Sequence, residues 1–560
     1  MRALTTLLAT VATAAVPIPT DNGSVPPFQG HAAKPNPVVA PAPPRHPFMA
    51  PNARSNIHDD AYQTDTYQGL GPLGSDIKVS STMFNADCGS VTFDAKGRIV
   101  TVCVGIAGPT LRLLDPKTLD TLAEQSLPPR DPRTLANLFT NFAGGGYFFL
   151  DNQDRAVVPT TTRHVLVYAE TRAPGFTLAR DIDLTSVVPD GDSIISALPD
   201  WQGRLWFATT QGVVGYVDEA GTIVSKALGE PIGNSFAVDE EGGVYIVSDA
   251  ALYRFEGVDG EVRTIWRETY DNIGIAKPGQ SEKGSGTTPT LMGKDLVSIT
   301  DNADPMAVLV FKRARTVEGP RLICRQPVFA NGASDTDQSL IGTPTSMVVE
   351  NNYGYSGPAS VTNGKTTTPG LARVNLDKGG GCHTAWTSNE VAPSVVAKLS
   401  LGAGLVYTYT KGTDSHDPWF LTTLDFRTGK TVYKALAGSG LGYNNNYAPV
   451  TLGPDGTAYV GTLGGLVALR DATTGHGAVA RRPALKLTQR CVKRHRVALR
   501  LRGQTVNRVT FSVAGHRIRT DRRGPFTATV RARRGAQVKA TVTLADGSTT
   551  QVRRKLRACR

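Results

Sequence analysis

The chain has 560 residues, more than one hydrophobic core usually holds, so we expect several domains or one large repeat array. Its 40% apolar content and 58 glycines suit a turn-rich, all-β globular protein and argue against a helical or a disordered chain. The net charge is +12, and no segment after the N-terminus reaches the roughly 18 apolar residues that a membrane helix needs.

Residues 1–16 have the pattern of an export signal. Arg2 supplies a positive start, the apolar stretch 3–16 follows, and Ala12-Thr13-Ala14 offers small residues for cleavage. The sequence therefore predicts an extracellular protein, either secreted or associated with the cell surface.

The cysteines agree with export. There are six, with no Cys-x-x-Cys pair, which favours disulfides in an oxidising compartment over a zinc site. Six cysteines allow fifteen pairings. Their positions within the predicted domains favour Cys88–Cys103, Cys324–Cys382 and Cys491–Cys559.

Residues 17–52 contain eleven prolines and few large apolar side chains, so they cannot build a core. We expect an extended, polyproline-like linker that acts as a spacer.

A predicted propeller domain, residues 53–480, begins with an unusual polar segment. Residues 56–67 combine His58 with three aspartates and two tyrosines, and imidazole and carboxylate groups suit hard or borderline cations. The segment is either a metal or substrate site or a polar strap that caps the domain. Its spacing matches no EF-hand loop, which needs Gly at position six and Glu at position twelve.

Short strands separated by turns then recur along the chain. Residues 93–100, 150–158, 199–207 and 238–246 are variants of one unit, and 448–469 is its clearest copy. The later units share a proline that we place at the start of their first strand: Pro289, Pro344, Pro393 and Pro449. Units repeated every 40–50 residues or so predict a β-propeller of about eight blades, with seven still possible. Residues 77–80 could complete the last blade and lock the ring.

Residues 481–560 have a different composition, with 23 Lys and Arg against two acids, a net charge of +21, while the first 480 residues sum to −9. Apolar residues alternate with basic or polar ones over 496–502, 508–513, 526–533, 538–544 and 551–556, which predicts half-buried antiparallel strands. We therefore expect a small immunoglobulin-like β-sandwich. It resembles the small basic sandwiches of exported actinobacterial proteins in composition and cysteine spacing.

This charge predicts a partner. Nucleic-acid binding would need stacking aromatics or a groove-binding motif, and the segment has only Phe511 and Phe526, so we expect no nucleic acid. An exported protein meets anionic cell-wall polymers or membrane surfaces, which the basic face could bind.

No nucleophile elbow, phosphate-binding loop, zinc-helix motif or dinucleotide turn is present. In propellers, function usually lies at the channel mouth, which the loops into each innermost strand and the hairpins between second and third strands surround. The loops into the innermost strands contribute Asp192, Ser193, Asn234, Ser235, Thr287, Thr288, Thr343, Glu390 and residues 444–446, and such side chains offer oxygen ligands for Ca²⁺ or for a polar ligand. Our candidate ligand-binding residues are His58, Asp301, Asn302, Asp304, Glu350, Asn351, Asn352 and His416. Asp and Asn are also ordinary turn residues.

Residues 454–462 with 464–469, and residues 424–433, resemble the quinoprotein-like (pyrroloquinoline quinone-type) propeller superfamily. Leu424, Asp425, Gly429 and Tyr433 fall on the family's blade-docking pattern, with Tyr433 where Trp is usual. The resemblance implies an eight-bladed fold, and in the dehydrogenases a quinone, Ca²⁺ and a disulfide between adjacent cysteines. This chain has no adjacent cysteines, and no calcium triad can be placed.

The leading hypothesis is a secreted propeller that binds a polar ligand or protein partner at its channel mouth and is tethered by its basic domain. One alternative is a quinone- and Ca-dependent oxidoreductase. Another is a lyase or hydrolase that uses rim carboxylates with His58 or His416 as acid and base.

Overall fold

The computed structural model describes residues 22–105, 108–137, 139–472, 485–493, 495–502, 506–531, 535–544 and 549–556. The predicted export signal lies outside the described residues. No helix in the described part of the chain is long and apolar enough to cross a membrane.

Eight sheets form the propeller, so the blade number is eight. Each blade contains four antiparallel strands that follow one another outward from the channel. Blade 1 comprises Ala86–Phe93, Ile99–Gly105, Gly108–Leu114 and Thr121–Ser126; blade 2 comprises Phe149–Leu150, Ala156–Pro159, His164–Glu170 and Phe176–Asp183. Blade 3 comprises Ile194–Pro199, Leu205–Thr209, Val213–Val217 and Ile223–Ala227; blade 4 comprises Ala237–Val238, Val244–Val247, Ala251–Val258 and Glu261–Thr269.

The second half of the ring repeats the same arrangement. Blade 5 comprises Thr290–Met292, Leu296–Thr300, Ala307–Lys312 and Leu322–Pro327; blade 6 comprises Ile341–Thr343, Ser346–Glu350, Leu371–Leu376 and Cys382–Ser388. Blade 7 comprises Lys398–Ser400, Leu405–Lys411, Pro418–Asp425 and Thr431–Ser439; blade 8 takes Val450–Leu452, Ala458–Thr462 and Gly465–Asp471. The 3₁₀ turns Pro132–Asn137, Pro358–Val361 and Leu441–Tyr443 lie in connections.

The last blade is completed from the N-terminal side of the chain. Ile77–Met83 pairs antiparallel with Gly465–Asp471 along its whole length, from Ile77 opposite Asp471 to Met83 opposite Gly465. The predicted closure of the ring is therefore confirmed, because the outermost strand of the last blade comes from the segment before blade 1.

An aspartate at the first hairpin of blades 1 to 3 explains why the repeated sequence unit folds in the same way in these blades. In blades 1 to 3, its Oδ1 accepts the backbone N–H of an arginine four residues later, and its Oδ2 accepts that arginine's Nε–H. The pairs are Asp94–Arg98, Asp151–Arg155 and Asp200–Arg204, with Nε–Oδ2 distances of 2.6, 2.6 and 2.7 Å. Asp therefore fixes the turn locally, as expected for this residue type.

The proline repeat marks blade starts only in part. Pro289 and Pro449 do stand directly before first strands, Thr290–Met292 and Val450–Leu452. Pro344 instead lies in the tight hairpin after Ile341–Thr343, and Pro393 lies in the loop before Lys398–Ser400. Both residues still avoid the ladder interior, where a missing N–H would be costly.

The proline-rich segment is not a free spacer over its described part. Phe28–Gly30 adds a fifth antiparallel strand to the outer edge of blade 7. Asn36 and Val38 donate N–H groups to Ala403 and Leu401, at 2.9 and 2.8 Å. The prediction of a spacer was wrong because few large side chains suffice when an existing sheet edge supplies backbone partners.

Residues 54–67, called the strap below, cross the channel. Backbone N–H groups at or near the ends of six innermost strands donate to strap carbonyls, and Thr66–Tyr67 pairs in parallel with the innermost strand of blade 7. The donor and acceptor pairs are Phe93–Arg54, Leu150–Ser55, Val238–Ala61, Leu291–Tyr62, Gly342–Thr64 and Leu399–Asp65. The strap therefore closes the channel at the end where the innermost strands finish.

The C-terminal residues form a two-sheet sandwich. One sheet contains Lys486–Lys493, Arg496–Arg502 and Thr527–Arg531; the other contains His516–Asp521, Val506–Val513, Gln537–Leu544 and Thr549–Lys555. Alternate residues such as Val497, Leu499, Phe511 and Ala540 are buried in one shared core. The strands Lys486–Lys493 and His516–Asp521 were not predicted, because their alternation is weak.

Two predicted disulfides are formed, Cys88–Cys103 within blade 1 and Cys324–Cys382 between the outermost strands of blades 5 and 6. Cys491 is disulfide-bonded. Its predicted partner Cys559 lies outside the described residues, so that pairing stays a prediction.

Candidate functional site

The hairpin of blade 5 uses its polar side chains to hold its own backbone. Asp301 accepts N–H groups from Ala303 and Ala307 at 3.2 and 2.7 Å. Asn302 Nδ2 donates to three loop oxygens, those of Asn272, Ile275 and Lys283. Asp304 accepts the N–H of Gly332 at 2.7 Å. None of the three is among the residues that line the channel-mouth cavity described below.

The equivalent connection in blade 6 behaves in the same way. Glu350 is buried and accepts the Thr408 hydroxyl at 2.7 Å, and burial raises its pKa well above the ordinary value. Asn351 donates to the carbonyl of Ala333 at 2.9 Å, and Asn352 accepts the N–H of Asp337 at 2.9 Å. These side chains shape the loops and do not line the cavity.

His416 lies apart from the other candidates. Its imidazole Nδ1 is 2.7 Å from the Asp414 carboxylate, and both side chains are 42% exposed. It does not line the cavity. Of the eight predicted ligand-binding residues, the structure therefore brings His58 alone to the cavity, and a ligand role for the other seven stays a prediction.

His58 belongs to a buried polar cluster in the strap. Its Nδ1 lies 3.1 and 3.2 Å from the two Asp65 oxygens and 2.9 Å from Ser339 Oγ, which itself donates to Asp65 at 2.6 Å. The Lys398 ammonium donates to Asp65 and lies 3.6 Å from Asp59. Burial lowers the pKa of His58, and Asp65 offsets this only in part, so the imidazole is neutral.

Lys398 is the charge that balances this cluster. Burial by itself would raise the pKa of Asp65, but Lys398 and His58 outweigh burial and hold it below the ordinary value. Burial raises the pKa of Asp59 well above its ordinary value, so Asp59 is protonated and only one net negative charge faces Lys398. Asp65 and Lys398 thus form a neutral buried pair in the strap.

Above the strap, at the end where the innermost strands begin, lies a cavity of about 870 Å³. Ile57 and His58 line it from the strap side, and loops that lead into the innermost strands supply much of its wall. These loop residues include Asn234, Thr288, Gln338, Ser339, Asn446 and Tyr447. The predicted location of the site at the channel mouth therefore matches where the structure has its cavity.

Aromatic rings make up much of the cavity wall. The Phe142 ring lies 4.9 Å from Tyr447 at an interplanar angle of 67°, and 6.4 Å from Tyr147 at 80°. Tyr147 in turn lies 6.3 Å from the His58 ring, which joins the wall to the floor. Val102, Val104, Leu441 and Leu463 add aliphatic surface. The mouth is therefore more apolar than the sequence predicted.

Two carboxylates interrupt this apolar lining. Asp87, at the start of blade 1, accepts Asn446 Nδ2 at 3.1 Å through one oxygen, and its Oδ1 has no hydrogen-bond partner among the described residues. Asp337, in the loop before blade 6, is 6% exposed and accepts the N–H of Ser281 at 3.1 Å. Burial raises the pKa of each to about 7. Neither forms an ion pair with a described residue.

The two arginines of the lining are already engaged. Arg130 donates to the carbonyls of Ala143 and Asn141, at 2.6 and 3.1 Å, and so holds the loop that carries Phe142 and Tyr147. Arg112 stacks 4.2 Å from the centre of the Phe84 ring and pairs with Glu124 at 2.5 Å. Both therefore serve the wall itself.

The calcium and quinone that the family resemblance implies do not find a matching donor set. Within the described ranges, no group of three or more His, Cys, Asp or Glu side chains could hold a metal ion. The nearest equivalent, the His58–Asp65–Asp59 cluster, already holds the Lys398 ammonium. We therefore derive no step through a quinone–calcium centre.

Sequence reasoning missed Asp87, Asp337, Phe142, Tyr147 and Tyr447. A signal did exist for two of them, because Asp87 and Tyr447 directly adjoin a first strand or the loop 444–446 that was assigned to the mouth. The 127–148 connection of blades 1 and 2 offered no pattern that would direct Phe142 and Tyr147 inward.

No protein-family model matches this chain. An uncharacterised protein of Archaeoglobus fulgidus is 30% identical over 322 residues, which cover 51% of this chain. The match covers 62% of that relative, so the chain spans less than two thirds of its length.

Solved structures with a similar fold include a europium-containing methanol dehydrogenase, at TM-score 0.47 and 11% identity, covering 75% of this chain and 98% of the other. A streptogramin B lyase structure matches at TM-score 0.35 and 8% identity, covering 70% and 98%. The eight-bladed, all-β propeller fold that the family resemblance implies is confirmed by the structure itself, whose propeller has seven four-stranded sheets and one of six strands.

Proposed function

We propose that this protein is an exported, non-catalytic propeller that takes up one small organic molecule in its channel-mouth cavity and is held on an anionic surface by its basic sandwich. The observation that carries the first part is the cavity of about 870 Å³ above a closed channel. Its size lies within the range of about 300–1,000 Å³ typical of small-molecule sites, and its lining combines apolar walls with few polar groups. This lining revises the expected polar ligand to an amphipathic one.

A binding role fits the side chains better than a lyase or hydrolase does. Ser339, His58 and Asp65 hydrogen-bond to one another in a triangle beneath the cavity, with both the hydroxyl and Nδ1 directed at the carboxylate. In a serine-hydrolase triad the imidazole accepts the serine proton at Nε2 and faces the carboxylate with Nδ1. Here Nδ1 of His58 faces both Ser339 and Asp65, so the three residues do not have the triad arrangement. His416, the other candidate, is exposed away from the cavity.

Export is supported by the two disulfides within the propeller, since such bonds persist in oxidising compartments. The N-terminal pattern of residues 1–16 points the same way.

A cavity-filling variant tests ligand uptake. The Cβ of a side chain at Gly89, which lines the cavity, would meet only Gly146 Cα, at 3.9 Å, so Gly89→Phe should fill the space without backbone strain. Gly379→Phe is the matched control, since Gly379 lies outside the lining and has open space around it. We expect small amphipathic molecules to raise the Tm of the wild type and of Gly379→Phe, and to leave Gly89→Phe unshifted. Equal shifts in both variants, or none in the wild type, would overturn the proposal.

Attachment of the sandwich to an anionic surface is supported by like charges that lie directly opposite each other on neighbouring strands. Lys486 lies opposite Arg502, and Arg496 lies opposite Arg531, on neighbouring strands of one sheet, and all four side chains are exposed. Like charges directly opposite each other are destabilising, so an anionic polymer lying across this sheet would relieve their repulsion. A linear polyanion can bridge such a row of charges, whereas isolated surface lysines would gain little.

Charge removal in the full chain tests the tether. The change of Lys486, Arg496, Arg502 and Arg531 to Gln should weaken binding to polyphosphate at least tenfold and reduce its salt dependence. The control changes four exposed basic residues of the propeller to Gln: Arg172, Arg180, Lys226 and Arg263. Equal losses in both variants would show a net-charge effect and refute the sandwich as the anchor. Binding to anionic lipid vesicles but not to polyphosphate would refute a polymer partner.

A further inference from the structure

The cavity lining has an electrostatic asymmetry that narrows the class of ligand. Asp87 and Asp337 come to the wall from blade 1 and from the loop before blade 6, and neither is paired with a described Lys, Arg or His side chain. Ser281 is the one hydrogen-bond donor to the Asp337 carboxylate among the described residues. A carboxylate that is 6% exposed and lacks a cation is costly unless a ligand supplies one.

The positive groups nearby do not supply that charge. Arg112 is paired with Glu124 and lies against Phe84. The Arg130 guanidinium donates hydrogen bonds to the backbone carbonyls of Ala143 and Asn141. Lys398, beneath the floor, is held by Asp65 and by the carbonyl of Ile57. An anionic ligand would therefore meet two unpaired carboxylates, whereas the charge of Arg112 is balanced by Glu124, although its Nε has no hydrogen-bond partner among the described residues.

The rest of the wall suits a cation as well. Phe142, Tyr147 and Tyr447 surround one part of the cavity, with ring centres 4.9 and 6.4 Å apart and planes turned steeply to one another. These rings pack edge to face on one another within the lining, and aromatic faces attract ammonium groups through cation–π interactions. The aliphatic residues Val102, Val104, Leu441 and Leu463 leave room for an apolar body.

We propose that the channel-mouth cavity selects an organic cation, an amine or quaternary ammonium group carried on an apolar body. Asp87 and Asp337 supply the negative charge of the lining, Asp337 on the side of Tyr147 and Tyr447, and the apolar body extends along the aliphatic wall. The raised pKa values of both carboxylates, about 7, agree with sites that gain a cationic partner on binding. This inference rests on the proposed uptake of a small molecule by the same cavity.

Three soluble probes of similar shape and different charge test the selection: phenethylammonium, phenethyl alcohol and phenylacetate. In calorimetric titrations of the full chain at pH 8, phenethylammonium should bind at least tenfold more tightly than the alcohol, and phenylacetate most weakly. Asp337→Asn and Asp87→Asn should each weaken phenethylammonium at least tenfold and change the alcohol less than twofold. Asp259→Asn is the control, because Asp259 is an exposed turn residue whose left-handed backbone Asn also tolerates.

The outcomes separate the two proposals. If the alcohol binds as tightly as the ammonium and Gly89→Phe abolishes both, the cavity takes up small molecules but the charge selection is wrong. If phenylacetate binds best, the inference is likewise overturned. If no probe binds in a way that depends on Gly89, the proposed uptake fails and this inference fails with it. Circular dichroism and Tm of each Asn variant, compared with Asp259→Asn, show that the fold is retained.

Discussion

The two ends of the central channel carry similar acidic side chains in opposite electrostatic environments. In the strap, Asp65 is ionised and paired with Lys398, and the neighbouring Asp59 is protonated. In the mouth, burial raises the pKa values of Asp87 and Asp337 to about 7, and neither carboxylate has a cationic partner among the described residues. The comparison teaches that residue type does not distinguish a structural carboxylate from a binding one. At these four carboxylates the difference is the counter-charge, which Lys398 supplies in the strap and no described residue supplies in the mouth. Asp60 of the strap also has no cationic partner among the described residues, but hydrogen bonds from Tyr62 and Thr64 hold it.

The largest effect on the unfolding free energy should come from removing the buried Lys398–Asp65 ion pair of the strap. Lys398→Met removes the fully buried cation and leaves Asp65 without its main partner, which should cost about 3–5 kcal/mol of unfolding free energy. Denaturant unfolding of the full chain measures this loss, with the exposed Lys430→Met as control. The double variant Lys398→Met with Asp65→Asn should recover part of the loss. A cost below about 1 kcal/mol for the single variant would show that the strap is not held by this ion pair.

A smaller, pH-dependent effect on the unfolding free energy should come from Asp337 in the channel-mouth cavity. The folded pKa of Asp337 is raised to about 7 by burial, above its unfolded value near 4, so its contribution to stability is full below about pH 4 and is lost as the pH rises through 7. Asn cannot ionise. Relative to the wild type, Asp337→Asn should therefore gain roughly 2–3 kcal/mol between pH 5 and pH 8.

The measurement is the difference in unfolding free energy between Asp337→Asn and the wild type across this pH range, without added ligand. Taking the difference removes the contribution of Asp87, whereas Asp335 and Glu282, whose pKa values Asp337 helps to raise, remain part of the measured effect. Asp259→Asn should give a flat difference curve. A flat curve for Asp337→Asn as well would mean that this carboxylate is already neutralised by a partner in the protein.

The smallest effect is expected at Glu350, which the sequence suggested as a ligand residue. Its strongly raised pKa keeps it protonated, and its contact with Thr408 can be kept by an amide of the same shape. Glu350→Gln should therefore change the unfolding free energy by less than about 1 kcal/mol at pH 7 and leave phenethylammonium binding within twofold. A tenfold loss of phenethylammonium binding would show that Glu350 contributes to the ligand site.

Much of the fold could be predicted because its causes are local. The turn aspartates Asp94, Asp151 and Asp200 act on residues two to four positions away, so the repeated unit is visible in the sequence wherever they occur. The same applies to alternation in the sandwich strands. For the candidate site, the sequence indicated the channel mouth but not the residues that line the cavity there. The mouth loops were identified, whereas Asp301, Asn302 and Glu350 were chosen by residue type and are engaged by their own hairpin, by the preceding connection and by blade 7, respectively.

By itself, the sequence determined the all-β repeat, the closure of the ring by residues 77–80, the propeller disulfides and the basic sandwich. Only the tertiary structure decided which carboxylates are neutralised, because the cation of the strap, Lys398, stands 333 residues from Asp65 along the chain. It also decided that residues 22–52 pack along the propeller and that the strap closes the channel under a cavity. Strand periodicity and turns depend on neighbours within a few residues, whereas a counter-charge and a cavity wall depend on side chains that meet only after all eight blades are in place.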